Sequence, residues 1–426
     1  MDAATDFSAD SGLRPSLLAA YANVRAFSET LTRPLSPEDM TIQSMADASP
    51  AKWHLAHTSW FFETFILKTQ DSRYRAFDAA YEYLFNSYYN GIGPQFSRPD
   101  RGVLSRPTVD EILAYRAHVD AAMERFLTGC SDQTLRAMRP LVELGLNHEQ
   151  QHQELILTDL KHAMSLNPLH PVIYAQDAPA MREAGDFDWI DFDGGLREIG
   201  WRGNGFAFDN EGPAHQVFLR PYRLASRPVT NAEFLSFVTD GGYRNARLWL
   251  SDGWATVQHE GWTQPIYWKE IDGAWCEYTL AGLRPLDPAA PVSHISFVEA
   301  NPYAEWAGAR LPSEFEWEAA AGGVPVAGNF ADSGTFHPQA AKPAQGLRQM
   351  FGDVWEWTQS AYAPYPGFKA DADVVGEYNG KFMVNQLVLR GGSCATPLGH
   401  IRASYRNFFY SHHRWQFSGL RLAEDA

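Results

Sequence analysis

N-H-E-Q-Q-H-Q-E, residues 147–154, sits in a segment that reads as one long helix over about 131–165. At roughly 100° per residue, His148 and His152 differ by about 40° around the axis and lie one turn apart on one face, as helices present paired imidazoles to a metal. Glu149 is about 100° off that direction and Glu154 about 200° from His152, so this helix alone does not complete a two-histidine, one-carboxylate set. A third ligand is expected from another helix. His57 in K-W-H-L-A-H-T-S-W-F-F-E (52–63) is the natural donor, and phase does not exclude His54. Neutral imidazoles suit zinc, iron or copper. Read as H-x-x-x-H-x-E, the stretch does not point to a zinc peptidase.

Working outward, Ser49 and Pro50 form a cap and first-turn pair for the helix carrying His57. Thr108 with Glu111 predicts a capping box for a helix through I-L-A-Y-R-A-H-V-D-A-A-M-E-R-F-L. An earlier helix covers about 13–31, so residues 10–165 are expected to form a bundle of four antiparallel helices. Residues 71–107, with Y-E-Y-L-F-N-S-Y-Y-N, are too long for a plain connection and too aromatic for a disordered one, so they are expected to cover something.

The stretch 166–189 has the proline and turn content of an interdomain linker. Beyond it, over 190–426, E-I-G-W, H-Q-V-F-L-R-P-Y-R-L-A, M-V-N-Q-L-V-L-R-G-G-S and F-S-G-L-R-L-A read as short strands between glycine-rich turns. N-A-E-F-L-S-F-V-T-D and S-F-V-E-A-N-P-Y-A-E-W-A-G-A read as helices. The fold class is α+β.

Composition bounds the function. The 426 residues carry 35 Lys+Arg against 51 Asp+Glu, a formal charge of −16 that repels a phosphate backbone and argues against nucleic acid as a partner. Three cysteines, Cys130, Cys276 and Cys394, make neither a disulfide framework nor a thiolate zinc site, which implies a reducing compartment. No secretory leader and no run of eighteen apolar residues is legible, so a soluble, cytoplasmic protein without a membrane partner is expected. Oligomeric state is not read from the chain.

K-W-H-L-A-H-T-S-W-F-F-E-T-F, L-F-N-S-Y-Y-N-G-I-G-P-Q-F-S-R-P-D-R-G-V-L-S-R-P-T, N-H-E-Q-Q-H-Q-E-L-I-L-T-D-L-K-H-A, W-A-G-A-R-L-P-S-E-F-E-W-E-A-A-A-G-G, F-G-D-V-W-E-W-T-Q-S-A-Y and R-W-Q-F-S-G-L-R-L-A together resemble the sulfoxide synthases of ergothioneine biosynthesis, over nearly the whole chain. The resemblance implies a DinB-like four-helix bundle followed by a formylglycine-generating-enzyme-type domain with a C-type-lectin-like fold. It implies a non-haem iron(II) centre on His57, His148 and His152, and dioxygen as cosubstrate. The implied reaction joins sulfur to C2 of the imidazole of hercynine, the N-alpha-trimethyl derivative of histidine, giving a sulfoxide.

By the same resemblance Tyr88 and Tyr89 enter the iron pocket, Gln151 hydrogen-bonds the substrate imidazole and Asn407 contacts substrate. A quaternary ammonium needs aromatic faces and polar oxygens, and candidates lie in the run Tyr405, Arg406, Asn407, Phe408 and Phe409. Phe409 and His413 stand about where the mycobacterial type carries an acidic residue and an arginine that hold a gamma-glutamyl arm. Arg98, Arg101 and Arg106 are candidates for a donor carboxylate instead. Cysteine, gamma-glutamylcysteine and, as in the similar selenoneine synthases, a selenosugar all remain open as donors. Formylglycine-generating enzymes need paired cysteines near the G-G-S segment; only Cys394 is there, so that activity is not expected, and G-D-V-W-E-W (352–357) is read as scaffold.

Overall fold

The computed structural model describes residues 12–177, 185–370 and 379–426, in two compact units. Residues 10 and 11 of the expected helical domain and 178–184 of the expected linker lie outside them.

The N-terminal unit is built on α1 (Leu13–Thr32), α2 (Ala51–Phe62), α5 (Val109–Gly129) and α6 (Asp132–Ser165). A π-helical turn, Glu63–Leu67, extends α2 into the short α3 (Lys68–Gln70), and α4 (Tyr81–Leu84) is a single turn inside the long insertion. Local chemistry sets the helix starts. Thr108 and Glu111 form the capping box of α5, and the Ser131 side chain accepts from the Thr134 amide to open α6. All twelve residues of α2 are buried, so it is the central rod of the bundle. At Gly145 of α6 a Cβ would stand 2.6 Å from the Phe62 ring and 2.9 Å from that of Phe61. Only glycine permits this approach of α6 to α2, at a propensity cost of about 1 kcal/mol. It lies one turn before His148.

Among the described residues, the C-terminal unit is a set of small sheets with four α-helices. β1 (Trp189–Phe192), β4 (Tyr222–Ala225) and β12 (Ala423–Asp425) form one antiparallel sheet in the order β1-β4-β12. β10 (Asn407–Tyr410), β9 (Gln386–Arg390), β8 (Trp355–Ala361) and β11 (Ser418–Gly419) form another in that order, with β11 parallel to β8. β2 (Gly195–Ile199) pairs with β3 (His215–Leu219), and β5 (Trp268–Ile271), β6 (Ala274–Thr279) and β7 (Gly282–Pro285) make a meander. α7 (Asn231–Thr239) and α9 (Phe297–Trp306) fall on the two segments read as helical, whereas α8 (Ser251–Glu260) and α10 (Glu314–Ala321) were not read as such.

G-D-V-W-E-W runs into β8 as core. Trp355 and Trp357 are buried, and Glu356 accepts from the Trp317 indole at 2.8 Å and pairs with Arg421 at 2.7 Å. Gly352 has φ +79°, and a Cβ there would meet the Asn329 carbonyl at 2.6 Å. No helix among the described residues is long and apolar enough to cross a membrane.

Candidate metal centre

His57 on α2 and His148 and His152 on α6 come together, with one ring nitrogen from each lying within 4.8 Å of the others. His57 Nε2 is 3.2 Å from His148 Nε2. All three rings are buried. Burial, reinforced by neighbouring imidazoles, holds His57 and His152 well below the usual histidine range, and burial brings His148 down to about 3. The rings are therefore neutral at pH 7, the state in which imidazole binds a metal. His57 Nδ1 donates to the Phe85 carbonyl at 2.6 Å, which leaves Nε2 with its lone pair.

Aromatic rings enclose this cluster. His57 stacks against Trp53, with centroids 4.7 Å apart and planes at 14°, and against Trp60 at 5.6 Å and 13°. Phe61 meets His148 at 5.0 Å. The indole N–H groups of Trp53 and Trp60 donate to the Leu84 and Glu82 carbonyls, fastening the insertion to α2. Three converging neutral imidazoles in an apolar shell, with no carboxylate in the set, can hold a borderline divalent ion and leave it coordination positions for other ligands.

His54 is in another place. Its Nδ1 lies 2.8 Å from His152 Nδ1 and its Nε2 3.1 Å from Asp159 Oδ2, so it backs a member of the cluster instead of joining it. Residues 148–152 also spell H-E-x-x-H, the zinc-peptidase pattern, so the sequence by itself did not dispose of that reading. The structure does. Glu149 is held by Arg116 at 2.6 Å, Arg25 at 2.9 Å and the Ser28 hydroxyl at 2.6 Å. Burial alone would raise its pKa, but the two guanidiniums bring it down to about 2, and it has no freedom to serve as a base beside the histidines.

The insertion residues divide. Tyr89 is fully buried, packed on Trp60 at 5.6 Å and Phe65 at 5.1 Å, and the half-buried Tyr88 stacks on it at 4.7 Å. Gln151 is half-buried on α6. Arg101 is buried, its Cζ 3.4 Å over the Trp53 ring, with Nη1 on Ser49 Oγ at 2.9 Å and Nη2 on Ser87 Oγ at 3.2 Å. Burial, then the like charge of Arg98, pushes its pKa down to about 8, and among the described residues no carboxylate forms an ion pair with it. Arg98 itself is exposed; Arg106 is exposed too, and its Nη1 donates to the adjacent Ser105 carbonyl.

In the C-terminal unit, Asn407, Phe408 and Phe409 are half-buried on β10. Phe408 stacks on Tyr362 at 4.0 Å and 10°, while Asn407 Oδ1 accepts from the Phe408 amide. Phe409 lies 6.3 Å from His413, which packs on Trp415 at 4.3 Å. Tyr405 and Arg406 are core instead: Arg406 is bound to Glu314 at 2.8 Å. A separate cleft of about 580 Å³, whose walls include Glu277, Arg284, His337 and Lys342, contains none of the residues assigned from sequence. All three cysteines are free thiols.

Sequence reasoning missed Asp159 and the Phe85 carbonyl. Asp159 had a signal: it is seven residues, two turns, beyond His152 on the same face of α6.

Residues 20–156 match the DinB superfamily, and 182–345 and 333–426 match the sulfatase-modifying factor enzyme 1-like domain. A hercynine oxygenase from Mycolicibacterium thermoresistibile is 32% identical, over 88% of this chain and 87% of its own. Ergothioneine biosynthesis protein 1 from Schizosaccharomyces pombe is 28% identical over 52% of this chain and 28% of its own. A formylglycine-generating enzyme from Streptomyces coelicolor is 29% identical over 52% and 83%. A bundle of the first type joined to a domain of the second, with relatives of this kind, defines an oxygenase, an enzyme of the oxidoreductase class. The chain belongs to the ergothioneine sulfoxide synthase family, the group of the hercynine oxygenases.

Proposed function

We propose that this enzyme uses ferrous iron and dioxygen to join a thiol donor, cysteine or gamma-glutamylcysteine, to C2 of the hercynine imidazole, giving a hercynyl sulfoxide. The observation that carries the reading is the convergence of His57, His148 and His152 as neutral ligands. Bound iron would supply the open positions at which a thiolate and dioxygen are activated. The chain's own groups do the rest. His57, His148 and His152 hold the ion, and the rings of Trp53, Trp60 and Phe61 keep bulk water from it. A phenol of Tyr88 or Tyr89 is the proton donor, and Gln151 orients the substrate imidazole. On β10, Asn407 with the faces of Phe408 and Phe409 is the element we assign to the trimethylammonium group, which has no N–H to donate and is held by ring faces and polar oxygens.

Arg101 supports the amino-acid donor. Its buried guanidinium has no ion-paired carboxylate among the described residues, feeling Asp159 only as a more distant charge, and the carboxylate of an amino-acid donor would supply the counter-charge. A second reading, carbon–selenium bond formation with a selenosugar, is favoured by Phe409 and His413, which carry no acid and arginine pair for a glutamyl arm. Incubating iron-loaded protein with hercynine, dioxygen and each donor in turn, with products identified by mass spectrometry, separates the two. Sulfoxide from a thiol donor supports the proposal; turnover with the selenosugar alone replaces it by the second reading.

A further inference from the structure

A ring nitrogen binds a metal only through a lone pair, so a histidine ligand must carry its proton on the other nitrogen. For His57 one contact settles this, because the Phe85 carbonyl at Nδ1 only accepts. His152 is different. Its Nδ1 faces the Nδ1 of His54 at 2.8 Å, and an imidazole nitrogen there can donate or accept, so this contact alone fixes neither ring.

The answer lies two steps farther out. His54 Nε2 is 3.1 Å from Asp159 Oδ2, and the same oxygen accepts the Ser49 backbone N–H at 2.8 Å. A backbone N–H only donates, and an ionised carboxylate only accepts. With a single proton on the His54 ring, that proton is on Nε2, its Nδ1 is a lone pair, and His152 donates into that lone pair from its own Nδ1. His152 Nε2 is left free to ligate.

We infer that Asp159 and His54 are positioning residues that act through His152, fixing which of its nitrogens is presented to the metal. The inference rests on the three-histidine reading of the centre. The device is also a cross-brace: α2 carries one ligand, His57, and holds the ligand of α6 through His54, while α6 returns through Asp159 to Ser49 at the head of α2. His54, Asp159 and His152 are all buried, so the wrong tautomer would leave a polar nitrogen without a partner, which makes the arrangement self-selecting.

The test is a titration of metal-free protein with cobalt(II), followed by its visible absorption. His54→Phe keeps a ring of similar volume and removes both nitrogens; affinity is expected to fall about 10–100-fold, the usual effect of an outer-shell partner. His54→Asn, whose Oδ1 accepts from His152 Nδ1, is expected to recover most of that loss, a rescue that a merely space-filling role for His54 does not predict. Equal cobalt affinity for wild type and His54→Phe overturns the inference and leaves the centre intact, whereas a wild-type protein that binds no cobalt overturns both. A measurement without variants guards against misfolding: a long-range ¹H–¹⁵N correlation spectrum of histidine-labelled metal-free protein should show the proton on Nε2 of His54 and on Nδ1 of His152. A proton on Nδ1 of His54 overturns the inference.

Discussion

The histidine cluster of the N-terminal unit and the glutamate–arginine cluster of the C-terminal unit are both closed to solvent, and they are balanced in opposite ways. In the second, the Glu314 carboxylate takes Arg390 at 2.8 Å and Arg406 at 2.8 Å, with the Tyr365 hydroxyl at 3.1 Å. Burial raises its pKa, and the two guanidiniums more than offset that, leaving it below the usual carboxylate range. Arg390 also pairs with Glu318 at 2.9 Å, so two guanidiniums face two carboxylates inside the protein. In the first, three imidazoles converge with no carboxylate and no cationic side chain in the set, and burial keeps them neutral. A buried charge that finds its partner serves as scaffold. Buried lone pairs that converge are a request for something from outside.

The comparison breaks most sharply if a ligand is removed. His152→Ala is expected to weaken ferrous binding beyond the about 100-fold that outer-shell changes reach, and to abolish oxygen uptake with hercynine and donor. Thermal unfolding of the metal-free variant should move down only modestly, by about 1–3 kcal/mol, because His54 Nδ1 loses its partner and a small cavity is left. Anaerobic titration and calorimetry check the two halves. Unchanged iron affinity would remove the metal centre.

Glu314→Gln should do the reverse. It leaves Arg390 and Arg406 short of their shared carboxylate, a loss of about 3–5 kcal/mol seen by denaturant unfolding. Ferrous affinity of the folded protein is expected to stay as in wild type. A stability change under about 1 kcal/mol would show that the two clusters are not energetically distinct.

Glu149 brings the balanced pattern into the N-terminal unit, one residue from His148, and makes it testable by pH. Its folded pKa of about 2 lies below the 4.5 of a solvated glutamate, so its stabilising contribution is complete above about 4.5 and is lost as pH falls toward 2. That difference corresponds to roughly 3 kcal/mol. The stability gap between wild type and Glu149→Gln, measured by urea unfolding, should therefore be widest near neutrality and close between pH 4.5 and 2. A gap independent of pH over that range would sink the assignment.

The same contrast explains what was legible in the chain. Helical periodicity is a local signal, and α1, α2, α5 and α6, at 12 to 34 residues each, repeat it often enough to be read; the phase of His148 and His152 followed from it. His54 against His57 was not decidable by phase, since about 60° separates them; the distinction is made by Asp159, 105 residues farther along. α10 was missed because E-F-E-W-E looks like a solvent face, yet Glu314, Glu316 and Glu318 are all buried. The arginine partners of Glu314 are 76 and 92 residues away, beyond any local pattern. β5–β7 and β10, at four to six residues, carry too few periods to stand out among aromatic-rich turns.

At Arg101 the two patterns meet: among the described residues it has no ion-paired carboxylate, and the Trp53 ring on which it lies stacks on the ligand His57. If it is a donor site, Arg101→Met should raise KM for the thiol donor about 10–100-fold, the scale of one lost charge-assisted hydrogen bond, with KM for hercynine unchanged. Stability should hold or rise, because Met fills the stem's volume against Trp53 without a desolvated charge. If Arg101 is only a strut between Ser49 and Ser87, both KM values move together and stability falls instead. Steady-state kinetics in each substrate, read beside an unfolding curve, therefore distinguish an arginine waiting for a carboxylate from one that merely ties the insertion to the head of α2.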